Sequence, residues 1–101
     1  MYRQGDVLLV PVHDIPDEAK VGARENGRII LAHGEATGHA HAIADPETEL
    51  LENRGNRYLR VGETGATVRH EEHGPIALPP GNYRVVIQRE YTPTEDRRVT
   101  D

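Results

Sequence analysis

The stretch His39-Ala40-His41-Ala42-Ile43-Ala44 alternates without a break. A period of two marks a β-strand, whose successive side chains point to opposite faces. His39, His41 and Ile43 then share one face, and Ala40, Ala42 and Ala44 the other. The two imidazoles stand roughly 6–7 Å apart at the backbone, on a rigid element. The alanines keep the opposite face small, so another strand or sheet can pack closely. A glycine-bracketed turn, Gly34-Glu35-Ala36-Thr37-Gly38, precedes the strand, and Asp45-Pro46 breaks it.

Working outward, residues 28–32 (RIILA) read as a strand before that turn. Residues 5–12 (GDVLLVPV) form an apolar run too short for a good helix, hence a buried strand. Pro11 places its end at a sheet edge. Residues 13–20 are a loop with one helical turn after Pro16, and residues 22–27 are polar and turn-prone. Downstream, residues 49–52 are a short strand and Gly55-Asn56 a turn. Residues 57–61 and 66–70 read as strands around a turn from Gly62 to Gly65, a hairpin. Residues 76–78 lead into Pro79-Pro80-Gly81-Asn82, a strong turn signal. Residues 83–91 (YRVVIQREY) are the longest strand, with Tyr83, Val85 and Ile87 facing one way. Thr92-Pro93-Thr94-Glu95 fits a capping box with proline at the first helical position, giving a short helix over 93–98 or a loose tail. About seven or eight short strands with frequent turns predict one all-β domain over 1–101, a small barrel or sandwich.

Composition narrows the chemistry. Of the 101 residues 36% are hydrophobic, with no Phe and no Trp, so the core must come from aliphatic residues and four Tyr. Cysteine is absent, which excludes disulfides, thiolate zinc sites and a Cys nucleophile. Serine is absent too, which removes a Ser-His-Asp mechanism. A metal must therefore be held by nitrogen and oxygen. The net charge is −5, and Lys20 is the only lysine among the basic residues. An acidic domain is a poor general binder of phosphate backbone. No signal peptide begins at Met1-Tyr2-Arg3-Gln4 and no apolar run is long enough to span a membrane, so a soluble cytoplasmic protein is expected. A thin core and edge strands favour a homodimer.

Five of the six histidines fall into two groups: His33 with His39 and His41, then His70-Glu71-Glu72-His73. Imidazole is the commonest protein metal ligand. The pair on the strand supplies two donors, His70 at the end of a neighbouring strand a third, and His73 a fourth or alternate. Asp45, Glu71, Glu72 and Glu35 are carboxylates within reach. Each can ligate, orient an imidazole, or act as a base on bound water. Donors of this kind suit one divalent ion: Zn, Fe, Mn or Ni. His70-Glu71-Glu72-His73 is one residue short of the helical zincin motif. Without a metal, the same histidines would be a proton-sensitive cluster or a solvated surface.

The rhythm of these residues resembles the cupin family: glycine, five residues, His-x-His, three or four residues, Glu, and later glycine, five residues, Pro-x-Gly, two residues, His. Here Gly34 is followed after four residues by His39-Ala40-His41 and after three more by Asp45. Later, Gly74 is followed after four residues by Pro79-Pro80-Gly81 and after two more by Arg84. The spacing is one residue short twice, Asp replaces Glu, and Arg84 stands where the family has its last histidine. The resemblance implies a cupin-like barrel with His39, His41 and Asp45 as ligands. It also implies the range of metal-dependent oxygenase, isomerase or hydrolase chemistry. The chain is similar in style to small proteins of bacteria and phages.

Three functions follow. The first is a metal-binding module or sensor, holding one divalent ion and recognising a small molecule or a protein. The second is a metalloenzyme with Glu71 or Glu72 as base and Arg84 or Arg69 holding an anionic substrate. The third is a nucleotide or nucleic-acid binding module using an arginine face around Arg57, Tyr58 and Arg60.

Overall fold

A computed structural model describes residues 1–34 and 38–88. The expected helix over 93–98 lies outside them, as does Glu35. The described residues form ten strands and no α-helix. They are β1 (Tyr2–Gln4), β2 (Val7–Val12), β3 (Lys20–Val21), β4 (Ile29–His33), β5 (Ala40–Ile43), β6 (Glu49–Asn53), β7 (Asn56–Val61), β8 (Ala66–Arg69), β9 (Ile76–Leu78) and β10 (Gly81–Ile87). A six-stranded sheet runs β1-β2-β10-β7-β6-β3 and a four-stranded sheet runs β4-β5-β8-β9. The architecture is a sandwich of two sheets, not a closed barrel.

Alternation within the strands builds the core. Val7 and Leu9 of β2, Leu59 and Val61 of β7, and Tyr83, Val85 and Ile87 of β10 are buried from one sheet. Ile29 and Leu31 of β4, Ile43 of β5, Ala66 and Val68 of β8 and Leu78 of β9 meet them from the other. Removing these side chains from water is the main favourable term in folding, at roughly 25 cal/mol per Å² of apolar surface. Tyr83 is in the core because its hydroxyl has a partner: it donates to the Pro79 carbonyl at 2.6 Å. Its ring meets Tyr2 edge to face, with centroids 5.9 Å apart.

Several sequence expectations are refined. The run over 5–12 is broken at Gly5, whose φ of 58° lies in the left-handed region. The chain reverses there, and Gln4 pairs with Val7 in a hairpin of β1 and β2. Pro11 sits on β2 beyond the reach of β1, which pairs only with Val7 to Leu9, so its missing N–H breaks no ladder on that side. The tight hairpin is β6–β7, not β7–β8. Arg54 and Gly55 both have positive φ, 53° and 82°, as a two-residue primed turn requires, and Asn56 already belongs to β7. Both edges of β7 are taken by β6 and β10, so β8 has no place beside it. The turn from Gly62 to Gly65 instead carries the chain into the other sheet. β10 ends at Ile87, and the part of the expected strand beyond residue 88 lies outside the described residues.

In β4 the register against β5 shifts between Ile30 and Ala32, a bulge centred on Leu31. Arg57 reaches across from the opposite sheet and donates to the Ile30 and Leu31 carbonyls. The bulge also sets Ala32 opposite His41. A small side chain therefore faces the imidazole at the end of the sheet where the histidines gather.

Candidate metal centre

The antiparallel register of β5 and β8 assembles the site. Ala42 pairs with Arg69 and Ile43 with Val68. Continuing this register by one residue sets His41 against His70, and by another Ala40 against Glu71. The rings of His41 and His70 are 4.3 Å apart between centroids. The Ala40 N–H is not left to a ladder carbonyl: it donates to the Glu71 carboxylate at 3.0 Å. His73 comes from the loop after β8, with its ring 4.8 Å from His70 and 5.6 Å from His41. His39, just before β5, meets His70 edge to face at 5.7 Å. All four histidines expected to ligate are thus in one cluster.

Two glycines let the backbone close around it. A Cβ on Gly5 would lie 3.0 Å from His73 Nε2 and 3.2 Å from His41 Cε1. A Cβ on Gly34 would lie 2.9 Å from the His39 Cβ and 3.0 Å from His70 Nε2. The Gly34 N–H also donates to the His39 carbonyl at 2.8 Å, which fixes the approach to the strand.

One residue of the site has no local signal in the sequence. Gln4 is 4% exposed, and its amide nitrogen donates to the carbonyls of Val68, at 3.0 Å, and Gly74, at 2.9 Å. Both amide hydrogens are then used, and the orientation is determined, since a flipped amide would set its oxygen against two carbonyls. Gln4 Oε1 therefore faces His41 Nδ1, 2.8 Å away, and can only accept. The neutral His41 ring must carry its proton on Nδ1 and its lone pair on Nε2. This is how a supporting residue prepares an imidazole for a metal. His41 itself is 6% exposed.

His70 is held differently. The Glu72 N–H donates to His70 Nδ1 at 3.0 Å, so the neutral ring carries its proton on Nε2. Ligation through either nitrogen requires this ring to release that backbone bond or its own proton. The Glu72 carboxylate lies 3.6 Å from His39 Nδ1. Glu71 has its carboxyl held below the ordinary range, chiefly by the Ala40 N–H and then by its own backbone N–H. Desolvation opposes this, and His39 and His70 reinforce it.

One ligand atom each from His41, His70 and His73 lie within 4.8 Å of one another, and so do one each from His39, His70 and Glu71. Donors around a tetrahedral ion at about 2.0–2.1 Å are roughly 3.3 Å apart. Small ring movements separate the present arrangement from that geometry, and an all-nitrogen or nitrogen-and-carboxylate set fits a borderline divalent ion. The cluster opens into a cavity of about 270 Å³ whose lining includes Asp6, His33, Gly34 and Glu72.

The other expected site residues lie elsewhere. The Asp45 carboxylate accepts the Thr67 N–H at 3.0 Å, and its carbonyl accepts from Arg24, at 2.7 Å, and from the Thr48 N–H. It closes the turn after β5 and anchors the start of β8, the far end of these strands from the histidines. Arg84 is exposed on β10 and donates to Asn56 at 3.0 Å. Arg69 is exposed on β8 and pairs with Ala42. Neither arginine lines the histidine cavity. Of the arginine face considered for nucleic acid, Arg57 is spent on backbone carbonyls and Arg60 pairs with Glu49 at 2.9 Å.

No helix among the described residues is long and apolar enough to cross a membrane. Comparison with known proteins places the chain in one family. It belongs to the family described as Domain of unknown function (DUF8820), whose family model matches residues 3–88, a span that includes Gln4 and every histidine of the cluster. Searches of the curated proteins and of the solved structures found no match.

Proposed function

We propose that this domain binds a divalent metal ion through His41, His70 and His73, with His39 beside them, and serves as a metal-dependent binding module or sensor. The observation that carries the reading is the convergence of the three imidazoles within 4.8 Å around a His41 whose tautomer is set by Gln4. A buried glutamine that spends both hydrogens on backbone carbonyls and its oxygen on one imidazole holds that ring in a single tautomer with its lone pair on Nε2, as a supporting residue does for a metal ligand. Elemental analysis of the untagged protein by plasma mass spectrometry tests it. Metal is expected in the wild type and lost in His41→Ala/His73→Ala with the β signature in circular dichroism retained. A wild type that stays metal-free after equilibration with Zn(II), Fe(II), Mn(II) and Ni(II) would end the reading.

The cavity beside the cluster favours a metalloenzyme as the second reading, in the range that the cupin resemblance implies. It has room for a small ligand, and Glu72 at its wall is a candidate base. Arg84 and Arg69 do not take part in this version, because neither reaches the cavity. Shifts in the visible spectrum of the Co(II)-loaded protein on adding azide would mark an exchangeable position. An unchanged spectrum would leave a closed, non-catalytic site.

A further inference from the structure

The two faces of the six-stranded sheet differ in kind, and register fixes which side chains share the face turned away from the core. Arg3 lies opposite Leu8 and Leu8 opposite Val86; one step along, Val10 lies opposite Arg84 and Arg84 opposite Tyr58. Their sequence neighbours Val7, Leu9, Val85, Ile87 and Leu59 are buried against the other sheet. On the outer face Leu8, Val10, Val86 and Tyr58 are half-buried, and they form a contiguous apolar strip rather than scattered surface residues. Two guanidinium groups flank it. Arg3 donates to the Gln88 amide oxygen, and Arg84 to that of Asn56 at 3.0 Å. Both acceptors are neutral, so they hold the side chains in place without balancing their charge. Among the described residues neither arginine has a carboxylate partner, whereas Arg60 on the same face has Glu49 at 2.9 Å. In a chain with 17 acidic and 12 basic residues, two such cations beside an apolar strip call for an anionic partner.

We propose that this face docks an extended acidic segment of a partner protein, with two carboxylates on Arg3 and Arg84 and an apolar side chain between them on Leu8, Val10 and Val86. Two strand spacings of about 4.8 Å across and two residues of about 3.3 Å along set the Cα atoms of Arg3 and Arg84 roughly 12 Å apart. An extended peptide covers about 13 Å in four residues, and its residues i, i+2 and i+4 point to one side. The pattern Glu-x-Val-x-Glu therefore matches both the cations and the strip, and each guanidinium fork accepts a carboxylate through paired N–H bonds. A nucleic acid fits less well: the strip offers Tyr58 alone for stacking, and a net charge of −5 opposes a polyanion. A second copy of this chain turned onto the face also fits less well, because the described strands set Arg3, Arg60 and Arg84 there against Glu49 alone. None of these residues lines the histidine cavity, so the proposal stands apart from the metal reading.

Titration of the full chain with acetyl-Thr-Glu-Thr-Val-Thr-Glu-Thr-amide, followed by amide proton–nitrogen NMR, tests it. Saturable shifts are expected at Leu8, Val10, Arg84 and Val86. The same peptide with Gln for both Glu should bind at least about tenfold more weakly, because two charge-assisted pairs become neutral ones. Arg84→Gln, at an exposed position, should weaken the Glu peptide in the same way with an unchanged circular dichroism spectrum. Arg3→Glu/Arg84→Glu should exchange the preference and take the peptide with Lys in place of Glu, which a folding defect would not produce. Equal binding of the Glu and Gln peptides, or no saturation at millimolar peptide, would overturn the proposal. A single-stranded oligonucleotide that moves the same amides at lower concentration would overturn it in favour of a nucleic acid. A dimer in sedimentation that Arg84→Gln dissociates would overturn it in favour of a second copy.

Discussion

Replacing Gln4 by methionine tests whether the histidines are arranged or merely adjacent. The side chains have similar volume, so packing alone should cost less than about 1.5 kcal/mol. What is lost is three hydrogen bonds: to the Val68 and Gly74 carbonyls at 3.0 and 2.9 Å, and from His41 Nδ1 at 2.8 Å. Net contributions of about 0.5–1.5 kcal/mol each bring the expected loss to roughly 3 kcal/mol. That is a large share of the roughly 5–15 kcal/mol that holds a domain together. The metal-free protein should show this as a lower urea midpoint with an unchanged slope, followed by circular dichroism. Freed from Gln4, His41 no longer has its lone pair held on Nε2, and Zn(II) affinity should fall about 10–100-fold in competition with a chelator. A stability loss under about 0.5 kcal/mol together with unaltered Zn(II) affinity would refute the role given to Gln4.

Three further substitutions probe the fold and the cluster separately. Gly5→Ala forces a side chain into a left-handed position, φ 58°, and against His73 Nε2 at 3.0 Å; it should destabilise by about 1–2 kcal/mol and weaken Zn(II) binding, both read by urea unfolding and titration. Leu59→Ala empties a fully buried position of β7 on the six-stranded sheet and should cost about 2–5 kcal/mol in urea, with metal stoichiometry unchanged in the folded protein. Burial, helped by Tyr2, pushes the Tyr83 phenol above its ordinary range. A pKa raised by folding gives stability that is complete below the unfolded value and lost as pH rises through the folded one. The alkaline limb above about pH 10 should therefore flatten in Tyr83→Phe, and identical limbs in denaturant midpoints would contradict the assignment.

How much of this was legible in the sequence depended on whether the cause was local. That His39 and His41 both come to the cluster was readable from their closeness in sequence, but β5 spans only Ala40–Ile43, so His39 stands just before the strand, and each ring meets His70 rather than the other. The buried face of β10 was readable because a strand period of two is a property of consecutive residues. The break at Gly5 was not, because GDVLLV has the apolar profile of one strand and only the return of β1 onto β2 makes the left-handed glycine necessary. The β7–β8 hairpin was a fair local inference from two strands and a glycine turn. It failed because β7 had already spent both edges on β6 and β10, and edge occupancy is global. Asp45 carries the right chemistry at nearly the right spacing, yet the Thr67 N–H on β8 claims its carboxylate. Gln4 lies 37 residues from His41, and no local pattern announces such a contact.

That the ligands come from distant segments has a thermodynamic consequence. His41 is on β5, His70 and His73 follow β8, and the loop at Gly5 between β1 and β2 presses on two of the rings. An ion at this point would tie together strands that meet only in the folded chain, and the unfolded chain offers no comparable preformed site. Binding free energy then adds to folding free energy. At a free Zn(II) concentration of 100 times the dissociation constant, the gain is about 2.7 kcal/mol. For a domain of this size each kcal/mol raises the midpoint of thermal unfolding by about 4–8 °C, so a rise of roughly 10–20 °C is expected. Calorimetry of metal-free and Zn(II)-equilibrated protein measures it. His41→Ala/His73→Ala should lose most of the rise. If that variant gained as much as the wild type, Zn(II) would be acting at other residues, and the cluster would not be the centre argued for it.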